Sequence, residues 1–540
     1  MSSRSSRYLL GAARQARSCQ SRAVVRPYSN GSPARASQSN ARDWSMMLFG
    51  VSIGGLALYL YERREGLVPA AQSEAAKKPS STIAAKELEK HNSRESLWVA
   101  IDGDVYDLTG FIDHHPGGSQ VLIDHAGKDV TSLFKGIHPP GTIEKNLERS
   151  DKIGRLDPQS IAISNQKDDA SAERIKEARK KLFGVDSIVT LDDFEKYAKD
   201  VLNIRAWEYF STGAETETAL INNKTAYDRI FFRPRVMVDV TYVDTHTQIL
   251  GVDSPIPVYV SPTASNALGQ PLGEIAVTRG AASTGILQIL SHVASKSLDE
   301  VMSEKQDKQK VGWQLYMNQD RSKAEEEIKH AVELGAQSIW LTVDTTVLGR
   351  RIRQMQGEAE RNPAPNGKPL TQPATNILSQ RHASNLTWKD IAWIKSLAPG
   401  IPVVVKGVGA WEDVVLAKEN GADAVVLSNH GGRQLDFAHA PIQTLYELHK
   451  NSPDILKDRS FQVFVDGGIR RGTDVLKALC LGASAVGLGR PFIYAATGWG
   501  SDGVEKAVQI MRKELEVSMR LLGVTKLDQL RPELLDCSKL

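Results

Sequence analysis

The stretch SNHGGRQLD at 428–436 follows directly on the apolar run 425–427 and brings a histidine, two glycines and an arginine together. His430 titrates near neutrality and can act as a base. Arg433, three residues on, carries a planar fork of donors that can hold a carboxylate beside the imidazole. The glycines allow backbone conformations and close approaches that a Cβ would forbid. Base next to anion clamp is the chemistry this spacing suits. For His430 alone, a loop histidine after a core strand is an equally good reading. A second constellation lies earlier, where His115 in HHPGG and His138 in GIHP stand 23 residues apart on loops flanking short helical patterns. Two neutral imidazoles on opposite walls of an apolar crevice would saturate a haem iron, which suits electron transfer rather than oxygen chemistry. Two surface histidines are the alternative.

These groups need elements to hold them. Short β-branched runs at 258–260, 287–290, 313–316, 339–343, 402–405, 424–427, 461–465 and 485–488 alternate with helix-like stretches such as 321–334 and 474–481. Eight strands joined by crossover helices predict a closed parallel (β/α)8 barrel, of the TIM type, with an open doubly wound sheet as the alternative. Sites in such barrels sit where strands end. The predicted ends are Pro262, Thr263 and Ala264; Ser291; Gln314 and Tyr316; Thr342 and Asp344 with Arg351 beyond; Lys406; Ser428 onward; Asp466, Gly467, Gly468 and Arg470; and Gly489 and Arg490. For Asp344 or Lys406 alone a buried ion pair would serve as well as catalysis. Eight polar ends at one mouth predict a site. Before the barrel, two strand-like runs around Asp102-Gly103 predict a hairpin.

The 540 residues exceed one ordinary domain, and 41% apolar with 24% charged residues is a globular composition. A net charge of +3 is too small to argue for nucleic acid. The surplus comes from residues 1–42, which hold eight arginines and no acid and read as a mitochondrial presequence, a basic disordered tail being the alternative. Residues 43–64 contain an apolar run, 44–61, long enough to span a bilayer but weakened by three glycines, and they read as a transmembrane or sorting segment of the inner membrane. A linker follows over 65–84, a haem-binding module over 85–160, a charged hinge over 161–187 and the barrel over 188–535, with a Pro, Asn and Gln rich excursion at 353–382 read as mobile. Cys19, Cys480 and Cys537 have no CxxC spacing, so no disulfide framework or zinc site is indicated.

With HPGG, the preceding YDLT-x-F and the histidine spacing together, the segment 85–160 resembles cytochrome b5, a small α+β fold, and the family's axial ligands to haem b fall on His115 and His138, not on the adjacent His114. From 188 to 535 the motifs STGAET, RPRVMVDV, QLY, LTVD, VKGV, SNHGGRQLD and DGGIRRGTDV resemble the FMN-dependent 2-hydroxy-acid oxidases and dehydrogenases. The two in this order resemble the flavocytochromes b2, mitochondrial L-lactate:cytochrome c oxidoreductases. That resemblance implies His430 as base, Asp344 as its orienting carboxylate, Arg433 and Tyr209 on the substrate carboxylate, Arg351 as a second arginine, Tyr316 on the substrate hydroxyl and Lys406 facing the flavin N1 and C2 carbonyl. FMN would rest against Pro262, Thr263, Ala264, Ser291, Gln314, Thr342 and Ser428, with its phosphate at Asp466, Gly467, Gly468, Arg470, Gly489 and Arg490. No GxGxxG fingerprint follows an early strand, which argues against NAD.

The implied partners are L-lactate or a related 2-hydroxy acid, cytochrome c as acceptor, and further copies of the chain in a tetramer. Val293, at a position that lines the substrate side-chain pocket in relatives, is small enough to leave a bulkier acid open. Two other readings stand beside the flavohaem dehydrogenase: an oxidase delivering electrons to oxygen with a vestigial haem module, and a haem-binding scaffold with an inert barrel. The intact histidine, arginine, aspartate, lysine and tyrosine set weighs against the scaffold, and the paired histidines against the oxidase.

Overall fold

A computed structural model describes residues 82–112, 115, 122–123, 125–131, 134, 141–157, 169–361 and 382–540. The chain divides into two compact units, 1–77 and 78–540, and the first lies wholly outside the described residues. So do the predicted presequence, the apolar run 44–61, His114 and His138. No helix among the described residues is long and apolar enough to cross a membrane.

The N-terminal module is built on the predicted hairpin. Strands Ser96–Ile101 and Asp104–Asp107 pair antiparallel in the register Ile101 with Asp104, and Asp102 and Gly103 between them both have positive φ. Two left-handed residues are what a two-residue turn needs to match the twist of its strands. Alternation then sorts the side chains: Leu97, Val99 and Ile101 pack with Leu108, Ile112 and Leu122, whereas Ala100 and Val105 pack on the other face with Leu88 and Leu156. His115 is buried beside the first cluster, with its ring edge-on to Phe111 at 6.0 Å.

The charged hinge contains a helix, Asp169–Lys180. Helices Leu191–Val201, Ile204–Ser211 and Thr218–Thr225 then lead into the barrel, the first started by a reciprocal Thr190–Asp193 cap and the second by Asn203 accepting from the Ala206 amide. The barrel closes as predicted. Its parallel strands are Val258–Val260, Gln288–Leu290, Val311–Leu315, Ile339–Thr342, Val403–Val408, Ala424–Leu427, Gln462–Asp466 and Ala485–Leu488, and the last pairs with the first.

Period two decides which side chains fill it. Tyr259, Ile289, Trp340, Val404, Val426, Phe464 and Ala485 point inward and form one cluster, while Val258, Val260, Leu341, Val405, Val425 and Val465 pack outward under the helices. Trp340 stacks on Phe464 with ring centres 5.7 Å apart, and Tyr259 leans on Trp340 at 5.1 Å. This layer is an apolar plug. The excursion after the fourth strand differs in part from its reading as mobile, because its start is the helix Ile352–Arg361. Arg361 grips the Glu208 carboxylate with both terminal nitrogens (2.9 and 2.5 Å), Arg353 grips Glu217, and Gly357 leaves no room for a Cβ against Glu208. Two charged side chains at opposite ends therefore fasten this helix to Ile204–Ser211 and the loop after it. Residues 362–381 lie outside the described set.

Candidate active site

One step along each strand from the apolar plug, the same alternation turns Ser261, Ser291, Gln314, Thr342, Lys406, Ser428, Asp466 and Gly487 inward. The result is a polar floor at the C-terminal mouth. Gln314 ties three strands together, accepting from Ser291 Oγ (3.2 Å) and donating to Thr342 Oγ1 (3.0 Å). Lys406 donates to Ser428 Oγ at 3.3 Å and lies 3.5 Å from Asp466. Burial pulls the Lys406 ammonium down, but Asp466 and Asp344 outweigh it and its pKa is raised, so the group stays charged. Ser261 Oγ and Asp466 Oδ1 are buried with no partner, and any side chain in place of Gly487 would collide with Ser261. A floor with unpaired polar atoms and a fixed cation calls for a polar group above it.

The catalytic-type residues converge above this floor. His430 takes φ +58° and is followed by two more left-handed residues, Gly431 and Gly432, so the chain turns sharply out of the sixth strand. Gly432 is required twice over, since a Cβ there would stand 2.5 Å from Leu220 Cα. Its carbonyl accepts from the Ala214 amide at 2.8 Å, and Asp436 receives the Thr216 and Ala219 amides, which pins the loop to the start of Thr218–Thr225. The final aspartate of the motif is therefore a structural anchor. On the other side, Gly407 has no Cβ to meet the Asp344 carboxylate, and Asp344 Oδ1 lies 3.0 Å from His430 Nδ1.

A carboxylate on Nδ1 fixes the proton there and leaves the Nε2 lone pair facing the Tyr316 hydroxyl, 3.5 Å away. Burial lowers the His430 pKa most and Asp344 raises it, with Lys406 and Arg433 lowering it further; the net shift is downward, so the imidazole is neutral at pH 7. Burial raises the Asp344 carboxyl, yet His430 and then Lys406 hold it below the usual range. Arg351 and Arg433 sit on the Tyr209 ring at 5.3 and 5.4 Å. Arg433 donates through Nε and Nη2 to the carbonyls of Thr212, Tyr209 and Phe210, and Arg490 donates to those of Phe210, Thr212 and Gly431. Burial lowers both arginines, and each feels the repulsion of Arg351. Among the described residues these two partly buried cations donate to carbonyl oxygens and form no ion pair, a surplus of positive charge that suits anionic groups.

Of the remaining predicted residues, Pro262, Thr263 and Ala264 line the end of the first strand, with Thr263 donating to Asn266, and Gly489 approaches Thr263 closely. Gly467 and Gly468 both have positive φ and pack on Asn223. Arg470 is occupied elsewhere, paired with Glu195 at 3.0 Å and Asp192 at 3.5 Å. Val293 is half-buried beside Ser291. Ser261 was not among the predicted residues, although continuing the alternation of Tyr259 by two places would have found it.

The profile of the FMN-dependent dehydrogenases matches residues 198–537, and that of the cytochrome b5-like haem/steroid binding domains matches 84–157. The chain belongs to the FMN-dependent dehydrogenase family. Within that family, the L-lactate dehydrogenase (cytochrome) of Wickerhamomyces anomalus is 40% identical over 92% of this chain and 87% of its own. The Saccharomyces cerevisiae enzyme of the same description is 44% identical over 85% and 80%, and spinach glycolate oxidase 36% identical over 64% and 94%. A flavocytochrome b2 solved with pyruvate bound superposes with a TM-score of 0.64 at 44% identity, covering 69% of this chain and 92% of that one. A mandelate oxidase solved with (S)-mandelic acid gives 0.57 at 34% identity, over 65% and 98%. Family membership indicates FMN for the barrel and haem b for the N-terminal module. The polar floor and the unneutralised arginines above it fit a flavin ring and its phosphate, and His115, buried beside an apolar cluster, fits one axial position.

Proposed function

We propose that the chain oxidises an L-2-hydroxy acid, L-lactate first among them, to the 2-keto acid and passes the electrons one at a time through haem b to cytochrome c. The observation that carries this reading is the His430 Nε2 lone pair, backed by Asp344 and facing Tyr316 beside two arginines. The substrate must lose two electrons and two protons. FMN, when bound, supplies the two-electron acceptor that can release electrons singly. Arg433, aided by Arg351 and Tyr209, holds the substrate carboxylate. Tyr316 hydrogen-bonds the substrate hydroxyl and fixes its angle to His430. Nε2 of His430 takes a substrate proton, and Asp344 stabilises the imidazolium that results. Lys406 offers fixed positive charge at the floor, where the flavin N1 edge would rest. The phosphate falls to Arg490 and the amides around Gly467 and Gly489. Arg470, already paired with Glu195 and Asp192, is a weaker candidate than the sequence implied.

His115 and His138 are the proposed axial ligands. The module ahead of the barrel favours this reading over that of an oxidase, since oxygen needs no haem relay. The composition of residues 1–42, read as a presequence, and of 43–64, read as a sorting segment, supports a location in the mitochondrial intermembrane space or on the inner membrane, and the family resemblance alone supports a homo-oligomer. The proposed limits of the two working domains are 85–160 and 188–535, supported by a haem-domain profile over 84–157 and a dehydrogenase profile over 198–537. Anaerobic stopped-flow mixing with L-lactate tests the whole sequence: flavin absorbance should bleach first and haem absorbance rise after it. Haem reduction with no preceding flavin phase, or no bleaching by any 2-hydroxy acid, would refute it.

A further inference from the structure

Tyr316 is bracketed by two histidines that the proposed chemistry does not use. On the backbone side, its N–H donates to His292 Nδ1 at 3.1 Å, and the His292 amide in turn donates to Gln314 Oε1 at 3.1 Å. On the ring side, His382 lies flat against the phenol, with ring centres 4.4 Å apart and planes 20° from parallel. His382 is itself tightly fixed. It bridges antiparallel to Asn318, the next amide (Ala383) donates to the Met317 carbonyl at 2.8 Å, and Gln319 donates to the His382 carbonyl. Its Nδ1 lies 3.3 Å from the Thr345 carbonyl, just after the fourth strand. Only 8% of its surface is exposed. The chain entering at residue 382 is thus stitched to the loop that follows Tyr316, and the imidazole is delivered onto the face of the tyrosine whose hydroxyl meets His430.

We infer that His382 is a positioning residue for the oxidation: its flat ring holds the Tyr316 phenol at the angle that presents the hydroxyl to the substrate and to His430. The ring of Tyr316 has one torsion that swings the hydroxyl and a second that flips the plane. A stacked neighbour anchored at both backbone and side chain restrains both. The arrangement costs the active site little charge, because burial lowers the His382 pKa and His292 and His430 lower it further after the opposing Thr345 carbonyl, leaving a neutral ring. His292 performs the complementary task on the main chain, since only an unprotonated Nδ1 can accept from the Tyr316 amide.

This inference rests on Tyr316 acting on the substrate, and a double-mutant cycle on the FMN- and haem-loaded enzyme separates the two. His382→Leu keeps the volume but removes the flat face, and His382→Phe restores the face without the hydrogen bond to Thr345. Flavin reduction by L-lactate in single turnover should slow by about three- to tenfold in His382→Leu, the range expected when an aromatic pair is lost, and recover to within about twofold of the parent in His382→Phe. Oxalate, which probes the arginines rather than the phenol, should perturb the flavin spectrum with unchanged affinity in both. In a Tyr316→Phe background His382→Leu should add nothing. An unchanged rate in His382→Leu, an equal loss in His382→Phe, or an additive loss in the Tyr316→Phe background overturns the positioning role while the proposed function stands. A Tyr316→Phe enzyme that reduces flavin at the parental rate overturns the Tyr316 role and with it the positioning inference, and leaves L-lactate oxidation standing.

Discussion

At the scale of single residues, the site turns on which groups are neutral and which are charged. His430 must be unprotonated to accept a proton, and its pKa is pulled below the ordinary 6.5 by burial. The rate of flavin reduction should therefore be flat near neutrality and fall only as the pH drops through that lowered value. Asp344 works against burial by raising His430, so Asp344→Asn should move the acid limb further down while cutting the rate by roughly two to four powers of ten. A pH profile of single-turnover reduction reads both effects, and an acid limb that stays in place would show that His430 is not the titrating base. His430→Gln should lose rate to a similar extent with FMN retained, because Ser428 of the floor and Arg490 meet this loop through its backbone, which the substitution leaves in place. Most of this cluster was legible from sequence, since His430, Asp344, Lys406 and Tyr316 each end or directly follow a recognisable apolar run. His382 and Glu208 were not. Their partners Tyr316 and Arg361 stand far off in the chain, and no local pattern announces a stack or an ion pair that only the folded barrel brings together.

At the scale of elements, the strands were legible because β-branched runs of three to five residues leave little choice, and their bounds moved by three residues or fewer. What the pattern hid was the use of alternation within a strand. The plug and the floor are adjacent inward layers of the same eight strands, and runs such as Val403–Val405 look uniformly apolar although Val404 alone faces inward. The helix Ile352–Arg361 was hidden for a different reason: its apolar face is only Ile352, Met355 and Ala359, none of its residues is fully buried, and it is fastened by the ion pairs to Glu208 and Glu217. The turn at the sixth strand offers an element-scale test. Gly432→Ala would put a methyl on Leu220 and an L-residue in a left-handed position, and it should destabilise the protein by about 2–5 kcal/mol. Urea denaturation of the holoenzyme measures this. A midpoint equal to the parent's would mean that the loop and Thr218–Thr225 can part without cost.

At the scale of the whole molecule, two cofactor sites divide the labour. His115→Ala should abolish the low-spin haem spectrum and cytochrome c reduction, yet leave reduction of an artificial dye by L-lactate within about twofold, since six-coordinate iron needs both imidazoles while the barrel chemistry needs neither. Loss of the dye activity as well would show that the barrel depends on the haem module for its fold. The closure of the barrel also governs how the chain can be assembled. Val258 to Val260 find their second partner only in Val486 to Leu488, so the first strand keeps an unpaired edge until more than two hundred further residues are available. A chain emerging from a ribosome, or threading through a membrane with its N-terminus leading, cannot seal the ring until its last strand is out. The hairpin-based haem module pairs its core strands locally and can form first. Through that interval the barrel's open edges invite pairing with other chains. Guarding the nascent barrel is then a task of the chaperone kind, and the time at risk is set by the span between the first and eighth strands.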